Sequence, residues 1–336
     1  MPALAVADAL RTGGAEVYFI GGDRAERELV PAAGYEFERI AVRGLDRRNP
    51  VKASKALAQS AGATRVARAI LRARHTTAVL GAGGYVAGPV GLAAVSLRLP
   101  LVLSEADSHL GLTNRTLAPL ARRVCLAFPI EGLDGARYLV TGRAVPPPQA
   151  DRSEARKRHG LEPGELMVLV FGGSLGARSI NEAALAGLDG ASFSVLHVTG
   201  SRDWPELRSR HHGPEYELVE YLAPADFDVA LAACDLVVAR AGGSIFEIAA
   251  HGRPAILIPY PHATADHQTT NARWMVAGGA AVLLPDDELS APRLASEVGR
   301  LIGEPAKRAA MARASLALAR PNAARAIAAE LLAVAH

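Results

Sequence analysis

Short apolar runs alternate with helical patterns along most of the chain. In the first half, runs rich in aliphatic residues and bounded by glycine or polar turns predict strands at 15–20, 77–80, 101–103, 123–128 and 137–140. In the second half the same pattern predicts strands at 166–171, 193–198, 217–221, 235–239, 255–259 and 281–284. Strands that alternate with helices imply an α/β fold built on parallel sheets. Between the two sets lies the stretch 143–150, RAVPPPQA, whose three consecutive prolines can continue neither a strand nor a helix. Domains are therefore expected at 1–142 and 143–320. Pro321 breaks the Ala/Arg-rich end, leaving 321–336 as a separate helix able to return to the first domain.

The segment 75–97 contains no Asp, Glu, Lys or Arg, and it is long enough for a membrane span. Gly81, Gly83, Gly84, Gly88, Pro89 and Gly91 interrupt it, so it reads as buried strand, glycine loop, then helix. At 336 residues, half of them apolar, the chain has material for two ordinary cores. A net charge of +3 gives no reason to expect a nucleic-acid partner. Two cysteines, Cys125 and Cys234, lie far apart at no metal-ligand spacing. Neither a metal nor a cofactor is expected.

The richest chemistry lies in 240–271, RAGGSIFEIAAHGRPAILIPYPHATADHQTTN. An apolar strand runs into Arg240, Gly242, Gly243 and Ser244 and then into a helix carrying Glu247. Such a strand–turn–helix aims backbone N–H groups at open space, which suits a phosphate. Glu247 can accept hydrogen bonds from ribose hydroxyls. Asp266, His267, Gln268 and Asn271, in the next polar loop, suit the hydroxyls of a sugar. The constellation describes a nucleotide-sugar pocket. A second glycine loop, Gly172 to Ala177 (GGSLGA), opens the second domain; alone such a loop often serves only the turn. Gly81 to Pro89 (GAGGYVAGP) is its counterpart in the first domain, opposite Ser104, Glu105, Asp107, Thr113 and Asn114. Carboxylates beyond strand ends sit where ligands bind in open α/β sheets, although capping of the next helix would also explain Glu105 and Asp107. Arg65, Arg68 and Arg72 share one helical face, with Val66, Ile70 and Ala73 on another, and Lys52, Lys55 and Arg74 lie nearby. A basic amphipathic helix suits anionic lipid, and equally an ordinary solvated face. Asp286-Asp287 reads as helix capping, and the histidines, including His211-His212, have no ligand spacing.

With these residues in place, the chain resembles the MurG family of UDP-N-acetylglucosamine transferases from Pro2 to about Ala281. PALAVADAL, GGYVAGP, EADSHLGLTN, VFGGSLGARSIN and the RAGG…E…HQ..NA run stand in the family's order. The resemblance implies two Rossmann-like domains facing a cleft, the glycosyltransferase B type. It also implies inverting transfer of N-acetylglucosamine from UDP-N-acetylglucosamine to undecaprenyl-pyrophosphoryl-N-acetylmuramoyl-pentapeptide. The setting is the cytoplasmic face of the inner membrane, with that membrane surface as a partner. Ser174, Arg240, Gly243, Ser244, Glu247, His267, Gln268 and Asn271 are implied on the donor side, and Tyr85, Glu105, Asp107 and Asn114 on the acceptor side.

Three departures from the family pattern matter. A first strand and a GGTxGHxxP loop normally precede the PALAVADAL helix; here Met1 stands directly before Pro2, so the usual histidine base is absent. Glu105 and Asp107 are then the carboxylates placed for that role, and the first sheet is expected to have unpaired edges. Either the start lies upstream or the chain binds donor and turns over poorly. Ser104 replaces a frequent histidine. Arg143 and Pro146 stand where asparagine and arginine are common, which makes Arg143 a candidate phosphate contact. Two alternatives stay open: a related transferase acting on another lipid or small acceptor, and a non-catalytic UDP-sugar binding protein.

Overall fold

The computed structural model describes residues 2–42, 50–210 and 212–335, without the side chains of 50–58. Lys52, Lys55 and His211 fall outside the described side chains. The chain divides into two compact units, Met1–Val145 with Arg320–His336, and Pro146–Ala319. The connection thus falls at the start of the proline run.

The first unit contains α1 (Pro2–Thr12), β1 (Tyr18–Gly21), α2 (Glu26–Ala32), β2 (Glu36–Arg39) and the long α3 (Pro50–Ala73). It continues through β3 (Val79–Gly81), α4 (Ala87–Ser96), β4 (Leu101–Glu105), α5 (Leu112–Leu117), β5 (Arg123–Leu126) and β6 (Tyr138–Val140). The second comprises α6 (Arg152–Arg158), β7 (Met167–Phe171), α7 (Arg178–Leu188), β8 (Ser194–Val198), α8 (Trp204–Leu207) and β9 (Tyr216–Val219). Then follow α9 (Pro224–Ala233), β10 (Leu236–Ala239), α10 (Ile245–Ala250), β11 (Ala255–Leu257), α11 (His267–Ala277), β12 (Ala281–Leu283), α12 (Ala291–Gly303) and α13 (Pro305–Leu318). The last helix, α14 (Ala323–Val334), belongs to the first unit.

The six described strands of the second unit form one parallel sheet in the order β12-β11-β10-β7-β8-β9. This is the doubly wound order, with its switch point between β7 and β10. Successive residues point to opposite faces of a strand. On one face Val168, Val170, Leu236, Val238, Ile256 and Ile258 pack with Ile180, Ala184 and Leu188 of α7 and Leu294, Val298 and Leu301 of α12.

The first unit repeats the plan with an interruption. Its strands form a β1-β2 sheet and a separate β3-β4-β5-β6 sheet, each parallel. Leu101, Leu103, Val124 and Leu126 pack beneath α3 and α4, while Val102 and Cys125 face Val6 and Leu10 of α1 and Ile327 and Leu331 of α14. Between the two sheets lies a cavity of about 460 Å³, lined by Tyr18 and Ile20 on one side, Val79 and Gly81 on the other, and Leu10, Leu71 and Leu331 from three helices. In the second unit β7 holds the corresponding place, with β8 and β10 on its flanks. Among the described residues β1 pairs with β2 and β3 with β4.

Three local expectations need correction. The run 15–20 pairs as strand only from Tyr18, and β2 was not foreseen, because EFER alternates charges with a single large apolar residue. On α3 the core-facing residues are Ala63, Ala67 and Leu71, spaced by four, whereas Val66 is half exposed. Arg74 pairs with Glu36 and Glu38 and so ties the end of α3 to β2. Segment 75–97 is strand, glycine loop and helix, and no described helix is long and apolar enough to cross a membrane.

Candidate functional site

In the second unit the loops after β7 and β10 emerge side by side at the switch point. Glycine is required after β7 for two reasons. Gly173 and Gly176 have φ of +99° and +82°, and a Cβ on Gly176 would stand 1.9 Å from the Thr199 carbonyl oxygen. The resulting turn leaves Ser174 exposed at the start of α7, an eleven-residue helix whose first N–H groups have no helical acceptor. Ser201 N donates to the Ser174 carbonyl at 3.3 Å, which ties this loop to the one after β8.

Gly243 and Ser244 lead from β10 into α10, and Glu247 lies one turn inside it, partly exposed. Arg240 behaves differently from its expected place along the nucleotide. Its guanidinium is buried and donates to Ile258 O at 3.1 Å, Pro259 O at 3.0 Å, Ser179 Oγ at 2.8 Å and Asp286 Oδ1 at 2.6 Å. It therefore locks the loops after β10 and β11 together. Asp286, expected as a cap, is the counter-charge in this lock and also accepts from Ser179 Oγ at 2.7 Å. Nothing in spacing marks that pair, which is joined only by the fold.

His267, Gln268 and Asn271, expected in a polar loop, instead stand in the first turns of α11, where Gln268 is partly exposed and Asn271 is buried. Gln268 Oε1 accepts from Tyr260 N at 2.9 Å, and its amide nitrogen lies 3.9 Å from the Cβ position of Gly242. Asn271 donates to Ala241 O at 3.0 Å, while its buried Oδ1 has no partner. His267 Nδ1 lies 2.8 Å from Thr264 O. Ala265 and Asp266, just before α11, both have positive φ, a strained pair for residues with side chains. Among the described residues no three His, Cys, Asp or Glu gather as metal ligands.

Beneath the glycine loop runs a buried polar chain that pattern reading missed. His197 bonds Asn181 Oδ1 at 3.0 Å and Tyr216 Oη at 2.7 Å; Asn181 Nδ2 donates to Thr199 O and to Asp203 Oδ2, each at 3.0 Å. Burial lowers the His197 pKa to about 3, with His212 adding to the effect, so the ring is neutral. The available signal was a histidine inside the buried strand SVLHV, since buried polar groups require partners.

In the first unit, β4 ends at Glu105, whose side chain is buried. Its Oε2 accepts from Gly111 N and Asn114 Nδ2, both at 2.9 Å, and its Oε1 from Asp107 N at 3.2 Å. Asn114 also donates to Ser104 O at 3.1 Å and lies against Gly83. Glu105 thus braces the loop that presents Asp107. Arg143 donates to Ala106 O at 3.4 Å, so it reaches the same loop. Tyr85 packs near Gly22, under the Arg24 guanidinium at 4.9 Å from the ring centre.

Comparison with known proteins fits this arrangement. Residues 167–329 match the glycosyltransferase family 28 C-terminal domain and residues 1–126 its N-terminal domain. A UDP-N-acetylglucosamine–N-acetylmuramyl-(pentapeptide) pyrophosphoryl-undecaprenol N-acetylglucosamine transferase of Moorella thermoacetica is 41% identical over 345 residues, covering 97% of this chain and 93% of the relative. The Rubrobacter xylanophilus protein of the same name is 41% identical and covers 98% of each. The crystal structure of Acinetobacter baumannii MurG superposes with a TM-score of 0.80 at 28% identity, covering 99% of this chain and 95% of that one. The calicheamicin glycosyltransferase CalG4, with a TM-score of 0.71 at 16% identity, shares the fold. With two parallel α/β units, both family 28 domains and near-full-length relatives at this identity, the chain belongs to the MurG family of glycosyltransferases.

Proposed function

We infer that the chain transfers N-acetylglucosamine from UDP-N-acetylglucosamine to undecaprenyl-pyrophosphoryl-N-acetylmuramoyl-pentapeptide, as the names of its relatives state for them. The observation that carries the donor half is the crevice over β7 and β10, where two glycine loops meet beside Glu247 and Gln268. Backbone N–H groups at Ser174 and the start of α7, with Gly243 and Ser244, would hold the diphosphate. Glu247 would accept from the ribose, and Gln268, Asn271 and His267 would contact the sugar. Arg240 would keep these loops in register. On the acceptor side Asn114 shapes the loop that presents Asp107, Tyr85 would contact the acceptor from the first glycine loop, and Arg143 offers a phosphate contact. Glu105 has its carboxylate committed to three donors, so Asp107 is the better of the two candidate bases. The acceptor hydroxyl attacks the anomeric carbon, its proton passes to the base, and UDP leaves with inversion. Donors fixed in advance around the diphosphate stabilise the charge that develops there. On this reading the reaction runs at the cytoplasmic face of the plasma membrane, where a lipid-linked acceptor is reached from the surface.

Radiolabelled UDP-N-acetylglucosamine with lipid-linked muramoyl-pentapeptide tests the reading. Label should enter the lipid, and Glu247→Ala should weaken UDP binding about tenfold or more, the loss of charge-assisted hydrogen bonds. UDP binding with no transfer to this acceptor would refute the assignment of acceptor.

A further inference from the structure

We propose that Arg202, aimed by the buried Asp203, is a further donor-site residue that reads the diphosphate of the nucleotide. The proposal rests on the reading of the second unit as a UDP-sugar site.

The loop after β8 runs against the glycine loop after β7 at backbone distance. A Cβ on Gly200 would lie 2.1 Å from Gly176 N, and Ser201 N bonds the Ser174 carbonyl. Arg202 follows directly. Its Nε donates to Asp203 Oδ1 at 3.0 Å and its Nη2 to Asp203 Oδ2 at 2.9 Å. This side-on pair fixes the plane of the guanidinium and engages two of its five N–H donors, leaving Nη1 outside the pair. The Arg202 side chain is 53% exposed, while that of Asp203 is 2% exposed. Asp203 is itself anchored from below by Asn181 and takes a second, longer contact from Arg178 at the start of α7. The pairing with Arg202 holds the Asp203 carboxyl below its ordinary range, so the anchor stays charged.

The sheet order gives the direction. Arg202 follows β8, and Tyr260 follows β11; the loops after β7 and β10 lie between them. The Arg202 charge and the Tyr260 phenol nevertheless influence each other. Together with the backbone contact between the loops after β7 and β8, this supports a guanidinium directed toward the glycine loops, where a diphosphate would sit. Arg178 has a closer partner in Glu206, at 3.0 Å, so Asp203 serves chiefly to hold Arg202, whose half-exposed guanidinium keeps Nη1 for an anion.

The test titrates uridine, UMP and UDP into the full-length chain and its Arg202→Gln, Arg202→Lys and Glu247→Ala variants, with thermal melts to confirm folding. Arg202→Gln should leave uridine affinity within about twofold and weaken UDP about ten- to a hundredfold, the range of a charge-assisted hydrogen bond. Arg202→Lys should recover part of the loss, since it keeps the charge without the planar fork. Asp203→Asn should raise the salt sensitivity of UDP binding, because an unanchored guanidinium acts only as a diffuse charge. Should that variant not fold, Arg202→Gln carries the test alone. An unchanged ratio of UDP to uridine affinity in folded Arg202→Gln overturns the proposal. If wild type binds none of the three and Glu247→Ala changes nothing, the donor-site reading itself has failed.

Discussion

Replacing Gly176 by alanine separates strain from space at the glycine loop. Its φ of +82° imposes a left-handed cost of about 1–2 kcal/mol on any side chain. The added Cβ would also meet Thr199 O at 1.9 Å, and reaching 3.0 Å requires a retreat of roughly 1.1 Å. That carbonyl cannot yield easily. Asn181 donates to it, and Thr199 N is bonded to Val219 O at 2.9 Å. Overpacking of this kind costs about 1–3 kcal/mol more. The total, about 2–5 kcal/mol, should lower the melting temperature by roughly 5–15 °C in a unit of this size. A displacement near 1 Å at the donor loop should also reduce kcat/KM about a hundredfold. Gly160→Ala is the control: φ is +67°, but no atom lies within 4 Å of the Cβ position. It should cost only the conformational term and leave UDP affinity unchanged. Melts by circular dichroism and UDP titration calorimetry read both variants. If Gly176→Ala matches Gly160→Ala in both, the contact with Thr199 is not what demands glycine.

Arg240→Met should destabilise the second unit by about 3–5 kcal/mol, because Asp286 loses its counter-charge in a partly buried site. Urea unfolding of the variant beside wild type would show it, and a loss below about 1 kcal/mol would mean that the lock contributes only shape. The neutral His197 gives a pH signature. Its folded pKa, about 3, lies below the ordinary 6.5, so the unfolded chain takes up the proton first. Its contribution is complete above about pH 6.5 and is lost as pH falls toward 3, with a slope of up to ~1.4 kcal/mol per pH unit. His197→Gln should remove that slope, and parallel stability profiles for the two proteins would contradict it. Burial pushes both the Cys125 and Cys234 thiols up to about 12, so neither should react with a disulfide reagent in the native state at pH 8. With rising denaturant, Cys125 in the divided first unit should label before Cys234, as mass spectrometry can distinguish; simultaneous labelling would show that the two units unfold together.

The parallel α/β plan was legible because its strands are buried on both faces and read as continuous apolar runs, such as MVLVF and LVVA. Glycine loops were legible for a related reason: positive φ and close approach leave few other residues. β2 was not, because a charged strand beside a single neighbour carries no apolar alternation. The roles of Arg240 and Asp203 could not be read from order along the chain. Each depends on a partner brought near by sheet topology, Asp286 in one case and Asn181 in the other. A motif names the residue types around a ligand, but whether a guanidinium faces ligand or protein is settled by packing.

The cavity beside β1 and β3 has a consequence for solution behaviour. Strand edges with open hydrogen-bonding groups act as templates for foreign chain, and here the edges of β1 and β3 flank one cavity of mixed lining. Arg74, which lines that space and pairs with Glu36 and Glu38, places charge at one end of it, as protective residues do beside exposed edges. Self-association should sharpen when the Arg74 charge is removed, which sedimentation over a range of concentrations would read.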